Sequence, residues 1–420
     1  MKFMNNLKHN TSLGIDFGTS NSAVGVAVNG KPFLFDIEDG EKTLPTSLFF
    51  DNKSKQALYG RKANNALVNR DEGRYLRALK SVLGTSLMHE RRYLMGKSVT
   101  FVDVIAQFLT EIKERAENAA DRSFDHALSG RPVFFHSDND KKNAQAHADL
   151  EACYLKAGFK SVSFMAEPEA AAIANGGIEV GQKALIVDIG GGTSDFCLFE
   201  GTANGINVLA NNGTRIGGTD FDKTLSIDHV MPLMGFGSDI KKDMGSGTLT
   251  APNHIFHDLA TWEKIPALYS NDSLRFADGL RNKAVNRQLF DRLMDVLELE
   301  YGHDIAFAVE RAKIKTNEAA EAAIALDFIE PELGVPLNID KLDTSLSDYA
   351  STISAAAAET VKSAELGSAN IDKIIFVGGS SLMRIVKSSI AKQFPNTPIL
   401  HADAFTAIID GLAIAAESRN

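Results

Sequence analysis

Residues 187–196 read VDIGGGTSDF, and residues 15–22 read IDFGTSNS. In both stretches an apolar run ends at an aspartate, glycine forms a tight turn, and a Thr-Ser pair leads into a second apolar run. This pattern predicts a strand, a turn and a returning strand. Because the two copies carry the same residue types in the same order, about half the chain apart, we predict that one lobe has been duplicated within the chain.

Strands and helices alternate around both hairpins. Residues 103–118 place apolar side chains on one face of a helix, and residues 144–157 form a second helical segment. In the other half, a buried strand KIIFV begins at Lys373, between an Ala-rich helix at 349–365 and a further helix at 383–393. Alternation of this kind predicts layered α/β lobes.

The alternation also suggests domain boundaries. We expect lobe I at 11–181 and lobe II at 182–397, with 398–420 returning to lobe I. Residues 42–97 are charged and irregular, and residues 223–340 mix Gly-rich loops with a helical stretch around FAVERAKIKTNE. We expect each of these two segments to form a subdomain inserted into its lobe, and we expect no further domain.

The composition is that of an ordinary globular chain, with 44% hydrophobic and 23% charged residues. A net charge of -10 argues against nucleic acid as a partner, because binding many phosphates requires clustered Lys and Arg. No segment approaches the roughly 18 apolar residues of a membrane span, and the N-terminus lacks the apolar core of a signal peptide. We therefore expect a cytoplasmic protein without a membrane partner. Cys153 and Cys197 are too few for a disulfide framework or a zinc site.

Both predicted turns suit polyphosphate. Phosphate oxygens accept hydrogen bonds, so a turn that offers several backbone N–H groups is a suitable receptor, and glycine lets the backbone approach closely. The candidate phosphate-binding residues are Gly18, Thr19, Ser20, Gly190, Gly191, Gly192 and Thr193. Asp16 and Asp188 would repel phosphate directly but can hold Mg²⁺ through its water molecules. One such hairpin alone is more often an ordinary glycine turn, whereas two copies in register favour a phosphate site.

Two further segments suggest nucleotide chemistry. In KIIFVGGSSLMRIV a buried strand runs into Gly378, Gly379 and Ser380 and then into a helix, an arrangement that suits close approach to a nucleoside or equally a simple strand-to-helix turn. In MAEPEAAAIAN, Pro168 opens a helix and predicts an extended backbone at Glu167. Glu167 then either compensates the helix dipole or, near a bound phosphate, positions an attacking water.

Together these segments resemble the seventy-kilodalton heat-shock chaperone family, within the superfamily of actin, sugar kinases and heat-shock ATPases. The two Asp-Gly-Thr hairpins resemble its phosphate motifs, RIGGTDFD at 215–222 the start of its second insertion, and VGGSS at 377–381 its adenosine motif. The matches run in order from about residue 13 to residue 413. The resemblance implies an α/β, two-lobed actin-like ATPase fold, in which duplicated ribonuclease H-like lobes each carry an inserted subdomain.

The resemblance also implies roles for single residues. Asp16 and Asp188 would hold hydrated Mg²⁺, mainly through water, with Asp195 as a further carboxylate near the metal. Lys80 would reach the terminal phosphate, and Glu167 would orient the attacking water. Asp188 and Thr193 complete the implied catalytic set, and the other implied nucleotide contacts are Thr19, Gly217, Gly218, Glu310, Lys313, Gly378, Gly379 and Ser380.

Residue type alone leaves two of these roles open. Lys80 could equally be a solvated helix lysine, and Glu310 with Lys313 could be a surface pair at i, i+3. Ile314 stands where the family often has an arginine that stacks on the base, which implies weaker nucleotide binding.

We therefore expect an Mg-ATP-dependent hydrolase that converts ATP and water into ADP and phosphate. Its lobes would close around the nucleotide, and a separate protein partner or co-chaperone would read that closure. Because the family's peptide-binding domain is expected to be missing, the chain resembles short chaperone relatives built from the nucleotide domain alone. Two alternatives remain, namely a nucleotide sensor with negligible turnover and a small-molecule kinase of the same superfamily.

Overall fold

The computed structural model describes residues 11–136, 139–174, 178–203, 205–401 and 406–417. The fold separates into two compact units. Unit 1 contains the described residues of Met1–Gly217, Thr352–Leu382 and Val386–Asn420, and unit 2 contains Gly218–Ser351 and Met383–Ile385. None of the helices formed by these residues combines the length and the apolar character that a membrane crossing requires.

The strands of the described chain are, in order, β1 (Ser12–Phe17), β2 (Asn21–Val28), β3 (Lys31–Leu34), β4 (Thr43–Pro45), β5 (Ser47–Asp51), β6 (Ala57–Tyr59), β7 (Gly73–Arg77), β8 (Arg92–Leu94), β9 (Lys97–Val99), β10 (His126–Arg131), β11 (Ser161–Ala166), β12 (Lys183–Ile189), β13 (Ser194–Thr202), β14 (Gly205–Thr214), β15 (Asp239–Lys241), β16 (Thr248–Thr250), β17 (Glu321–Ala325), β18 (Gly334–Asn338), β19 (Lys373–Val377) and β20 (Ile399–His401).

The α-helices are α1 (Arg61–Val68), α2 (Phe101–Ala120), α3 (Asp140–Lys156), α4 (Glu167–Ala174), α5 (Gly218–Leu225), α6 (His254–Leu259), α7 (Asn271–Lys283), α8 (Arg287–Glu298), α9 (Gly302–Ala319), α10 (Ile339–Ser363), α11 (Arg384–Gln393) and α12 (Ala407–Glu417). Shorter 3₁₀ segments cover Leu79–Val82, Ser86–Met88, Met231–Met234, Trp262–Tyr269, Ser368–Asn370 and Gly379–Leu382, and a π-helical segment covers Ser226–Val230.

Unit 1 contains two large sheets with the same topology. The described strands of the first follow the order β3-β2-β1-β10-β11, with β4 paired to β2, and those of the second follow β14-β13-β12-β19-β20. In each sheet the hairpin strand that carries the aspartate, β1 or β12, pairs antiparallel with its successor and parallel with a strand from later in the chain. The repeated order confirms the predicted α/β class and the predicted duplication.

Helix α2 shows how sequence defines these layers. Thr100 and Asp103 form a capping box at its start, which satisfies backbone N–H groups that have no partner within the helix. Val104, Phe108 and Ile112 are among the apolar side chains that it buries in the core of the first sheet. Burial of each such side chain contributes about 1.5–3 kcal/mol.

Helices α4 and α12 pack so closely that their backbones are in contact. A methyl carbon placed on Gly411 would lie 1.7 Å from the carbonyl oxygen of Ala170, so a larger residue would force the two helices apart. Leu128, Ile409 and Leu412 form part of an apolar cluster around this contact. The packing fixes the position of α4 and therefore of Glu167, its first residue.

The inserted segment 42–97 is more regular than its charged sequence suggested. Strands β6, β5 and β7 form a three-stranded sheet in that order. After β7, Ala78 adopts a left-handed φ of 56°, which turns the chain into the 3₁₀ segment Leu79–Val82. Leu79 is 1% exposed and anchors this segment in the core, so the turn presents Lys80 at a defined position.

Unit 2 is mainly helical. Its described strands form two separate two-stranded ladders, β15 with β16 and β17 with β18. Helix α8 buries Phe290, Leu293 and Leu297 along one face, which is the spacing of an amphipathic helix. Within residues 223–340 the sequence interpretation expected only the helix around FAVERAKIKTNE, which is α9, and missed α6, α7 and α8.

Candidate functional site

The two glycine turns lie against each other within unit 1. We call residues 18–20, between β1 and β2, loop 1, and residues 190–193, between β12 and β13, loop 2. A methyl carbon placed on Gly191 would lie 2.5 Å from Ser20 Oγ, which is closer than a non-bonded carbon can approach. The structure therefore brings both predicted phosphate loops together.

Each loop is held by its own hydrogen bonds. The backbone N–H of Thr46 donates to the carbonyl oxygen of Ser20 over 2.8 Å, and the hydroxyls of Ser22 and Thr46 are 2.8 Å apart. In loop 2, the N–H of Gly190 donates to the carbonyl oxygen of Thr193 over 2.9 Å. These bonds limit the movement of the loop backbones, whose N–H groups are the candidate phosphate donors.

Two other predicted glycines lie next to loop 2. A methyl carbon on Gly217 would lie 2.5 Å from the carbonyl carbon of Gly191. Gly378 has a φ of +80°, and a methyl carbon there would lie 2.4 Å from the carbonyl oxygen of Ile189 and 2.7 Å from Asp188 Oδ1. Only glycine tolerates both the backbone conformation and this proximity.

Four carboxylates and one lysine form a buried cluster beside the loops. Asp16 lies near the end of β1, and Asp188 and Asp195 are cross-strand partners on β12 and β13. Lys80 forms an ion pair and a hydrogen bond with Glu167, and the two side chains are 8% and 9% exposed. This burial excludes the alternative that Lys80 is a solvated helix lysine.

The three aspartates are shifted towards their protonated forms. Burial, and then the charge of Glu167, raise the pKa of Asp16 to about 7. The same two causes raise the pKa of Asp195 to about 7. Burial raises the pKa of Asp188 well above its usual range, with further contributions from Glu167, Asp195 and Asp16.

The cluster carries more potential negative charge than its lysine balances. Burial by itself would lower the pKa of Lys80, but the neighbouring carboxylates, led by Glu167, raise it overall. The carboxylate oxygens of Asp16, Asp188 and Asp195 are the donor type that Mg²⁺ prefers. Within the described residues no three His, Cys, Asp or Glu side chains form a group that would ligate a metal directly. Carboxylate oxygens can also hold a hydrated Mg²⁺ through its water molecules, so the chemistry of these donors fits that ion.

Several supporting residues were missed by the sequence analysis. The backbone N–H of Val133 donates to Asp195 Oδ1 over 2.8 Å, and the Thr193 side chain also hydrogen-bonds to the Asp195 carboxylate. A backbone donor has no side-chain signature, so only the fold reveals it. Glu167 also differs from the prediction of an extended residue before the helix, because β11 ends at Ala166 and α4 begins at Glu167 itself.

The predicted residues of unit 2 are arranged around a buried lysine. Lys313, on α9, is 6% exposed, and its Nζ lies 2.7 Å from Asp222 Oδ1 and donates to the carbonyl oxygen of Gly218 over 3.4 Å. Glu310 lies one turn earlier on the same helix, and Ile314 is 48% exposed. A surface pair is therefore the wrong interpretation of Lys313, whereas its predicted contact with adenosine remains a prediction.

The duplicated sheets, the glycine loops and the buried carboxylates define a protein of the actin-like ATPase fold. The chain belongs to the Hsp70 family, since the family model described as Hsp70 protein matches residues 12–249 and 284–418. This match confirms the resemblance and the predicted fold class. At the level of the family it supports nucleotide binding.

Curated relatives agree with this membership. The chain is 30% identical over 389 residues to the chaperone protein DnaK of Endomicrobium trichonymphae, an alignment that covers 89% of this chain and 52% of the relative. It is 25% identical over 422 aligned residues to the chaperone protein DnaK of Ureaplasma parvum serovar 3, covering 96% of this chain and 58% of the relative. The chain thus spans between half and three fifths of the length of these relatives.

Proposed function

We propose that this chain binds Mg-ATP at loops 1 and 2 and hydrolyses it to ADP and phosphate. The observation that carries the proposal is the buried ion pair of Lys80 and Glu167, among three aspartates and beside both loops. Burying charged groups costs free energy. A lysine and a glutamate that are both less than a tenth exposed therefore indicate a functional role. Charge neutralisation and positioning of water are what phosphoryl transfer to water needs.

Each residue has a defined part in this proposal. The backbone N–H groups of the loops other than that of Gly190, and the hydroxyls of Thr19 and Thr193, bind phosphate oxygens. Glu167 orients the water and accepts its proton as the new bond to the terminal phosphorus forms and the bond to ADP breaks. Lys80 neutralises charge that develops on the terminal phosphate.

Asp16, Asp188 and Asp195 would hold the hydrated Mg²⁺, which supplies positive charge next to the phosphate oxygens. Their raised pKa values are consistent with this, since a cation would favour the ionised carboxylates. Gly217 lies beside loop 2 and would line the phosphates.

The remaining assignments rest on the sequence resemblance. We assign the adenosine to Gly218, Glu310, Lys313, Gly378, Gly379 and Ser380. Lobe closure, a separate partner protein and a cytoplasmic location likewise belong to the proposal.

Phosphate release with Mg-ATP tests the catalytic assignments. We expect Lys80→Ala and Glu167→Gln each to lower turnover about 100-fold or more, the size of effect expected for a positioned proton acceptor or an electrostatic donor. Lys97→Ala, which changes an exposed lysine of the same inserted segment, serves as the control. Equal rates in all variants would overturn the assignments. ATP binding without single-turnover hydrolysis would identify a nucleotide sensor, and phosphate transfer to a metabolite would identify a kinase.

A further inference from the structure

Two side chains that are distant in sequence hold the backbone of the turn that carries Lys80. His136 is 5% exposed, and its Nε2 lies 2.8 Å from the carbonyl oxygen of Leu83. Arg215 lies with Nη1 3.1 Å from His136 Nδ1 and donates from Nη2 to the carbonyl oxygen of Ser81 over 3.3 Å. Both carbonyl groups therefore lie within three residues of Lys80.

The chemistry of the two partners determines which nitrogen of His136 donates and which accepts. A guanidinium has donors only, so Nδ1 of His136 has to accept from Arg215. A carbonyl oxygen accepts only, so Nε2 has to carry the hydrogen and donate to Leu83. Both ring nitrogens of His136 therefore have a hydrogen-bond partner, and the side chain joins Arg215 to the turn.

The segment that carries Arg215 is also attached to loop 2. The Ser194 hydroxyl donates to the carbonyl oxygen of Ile216 over 2.8 Å. Gly217 packs directly on the backbone of Gly191 in loop 2. Three consecutive residues, Arg215, Ile216 and Gly217, thus connect loop 2 to the backbone around Lys80.

We infer that Arg215 and His136 are positioning residues, which fix Lys80 relative to loop 2. The inference rests on the proposed function, in which Lys80 has to meet a terminal phosphate that loop 2 holds. A loose connection would leave Lys80 paired with Glu167 but displaced from the phosphate, and small displacements of this kind slow turnover. Neither residue is among the proposed nucleotide contacts, so we expect turnover to change while nucleotide affinity does not.

A double-mutant cycle tests the connection in the full chain. Arg215→Ala removes the guanidinium, and His136→Gln can place its amide NH₂ at the position of Nε2 and so keep a donor for Leu83, but it then has no acceptor at the position of Nδ1, which faces Arg215. We expect each variant to lower phosphate release at saturating Mg-ATP by about threefold to tenfold, the range of one hydrogen bond. The double variant should lose no more than Arg215→Ala alone, because that change already breaks the bond to His136 together with the bond to Ser81. ADP affinity should stay unchanged, and Arg91→Ala, an exposed arginine of the inserted segment, should behave as wild type.

Amide hydrogen exchange of residues 79–84 without nucleotide gives a second readout that does not depend on hydrolysis. Exchange should be faster in Arg215→Ala and His136→Gln than in wild type or Arg91→Ala. Unchanged exchange, fully additive losses of turnover, or a loss of ADP affinity in place of turnover would each overturn the inference. If the wild type bound ADP but showed no hydrolysis, the proposed ATPase activity would fail, and the exchange rates alone would decide whether the connection holds the turn.

Discussion

The two hairpins of unit 1 share a backbone frame but differ in the side chains that they place next to the loops. On the first, Asp16 faces Ala23 as its cross-strand partner, whereas on the second, Asp188 faces Asp195. The second hairpin therefore supplies two buried carboxylates, whereas the first supplies one that is half-buried. The cation that pairs within this group, Lys80, comes from neither hairpin but from the inserted segment 42–97. The two hairpins therefore share a frame, whereas the charged side chains of the cluster differ between them or come from outside both.

The two sheets also differ at the strand that pairs in parallel with the aspartate-bearing strand, which is β10 beside β1 and β19 beside β12. In the second sheet, Gly378 follows β19 with a φ of +80° and touches the backbone of Ile189. In the first sheet, Gly130 on β10 touches side chains only, since a methyl carbon there would lie 3.2 Å from Leu412 Cδ1 and 3.3 Å from Glu167 Cγ. Backbone atoms cannot move aside as side chains can. The second sheet should therefore tolerate an added side chain at Gly378 less well than the first sheet tolerates one at Gly130.

We expect Gly378→Ala to lower the free energy of unfolding by about 3 kcal/mol, because left-handed strain and overlap with a carbonyl oxygen add together. Gly130→Ala should cost less than about 1 kcal/mol, since only side chains have to adjust. Urea unfolding of both variants in nucleotide-free buffer measures the difference. Equal losses of unfolding free energy would show that the two sheets tolerate an added methyl group equally well, and would contradict the comparison.

A second prediction removes the extra charge of the second hairpin. Asp195→Asn keeps an acceptor for the Val133 N–H but removes a carboxylate whose pKa burial and Glu167 raise to about 7. Without metal or nucleotide we expect the variant to be more stable than wild type by about 2 kcal/mol at pH 8. This is roughly half of the free energy to which the full shift of the Asp195 pKa corresponds. Its ability to be stabilised by Mg-ATP should fall at the same time.

The pH dependence of the stability gain tests whether the charge of Asp195 is its cause. A carboxyl whose pKa is raised on folding costs nothing below its unfolded pKa, and its cost grows from about pH 4 to about pH 7 and is complete above that. The gain in thermal stability of Asp195→Asn, measured with a chelator present, should therefore be larger at pH 8 than at pH 5. A gain of the same size at both values would exclude charge as its origin.

Much of the frame could be predicted from local sequence. KIIFV was predicted as a buried strand and forms β19 over Lys373–Val377, and the helix predicted at 103–118 is α2 over Phe101–Ala120. The helix is longer than predicted because its capping box lies outside the apolar stripe from which it was inferred. Glycine, aspartate and apolar periodicity act over a few residues, so they can be recognised without the fold.

The support of the site could not be predicted in the same way. Lys80 was assigned only through family resemblance, because one lysine in a charged segment has no local signature. Val133, His136 and Arg215 act through backbone atoms or through partners that are 62, 53 and 134 residues away in sequence. Such contacts exist only after the sheets have formed, so a pattern along the chain does not contain them.

The smallest expected effect concerns the hydroxyl groups that hold each loop. Loop 1 depends on the Ser22–Thr46 pair, whose residues are 1% and 0% exposed, and loop 2 has the bond from Ser194 to the carbonyl oxygen of Ile216. Thr46→Val should cost about 1 kcal/mol of unfolding free energy, because it leaves the buried Ser22 hydroxyl without a partner. Thr46→Ser, which retains a hydroxyl, is the matched control and should recover part of that loss. Ser194→Ala should cost a similar amount of unfolding free energy, because the Ser194 hydroxyl makes the corresponding bond in the second hairpin. If Thr46→Val unfolds at the same urea concentration as wild type, the hydroxyl does not hold loop 1, and the equivalence of the two loops ends at their backbones.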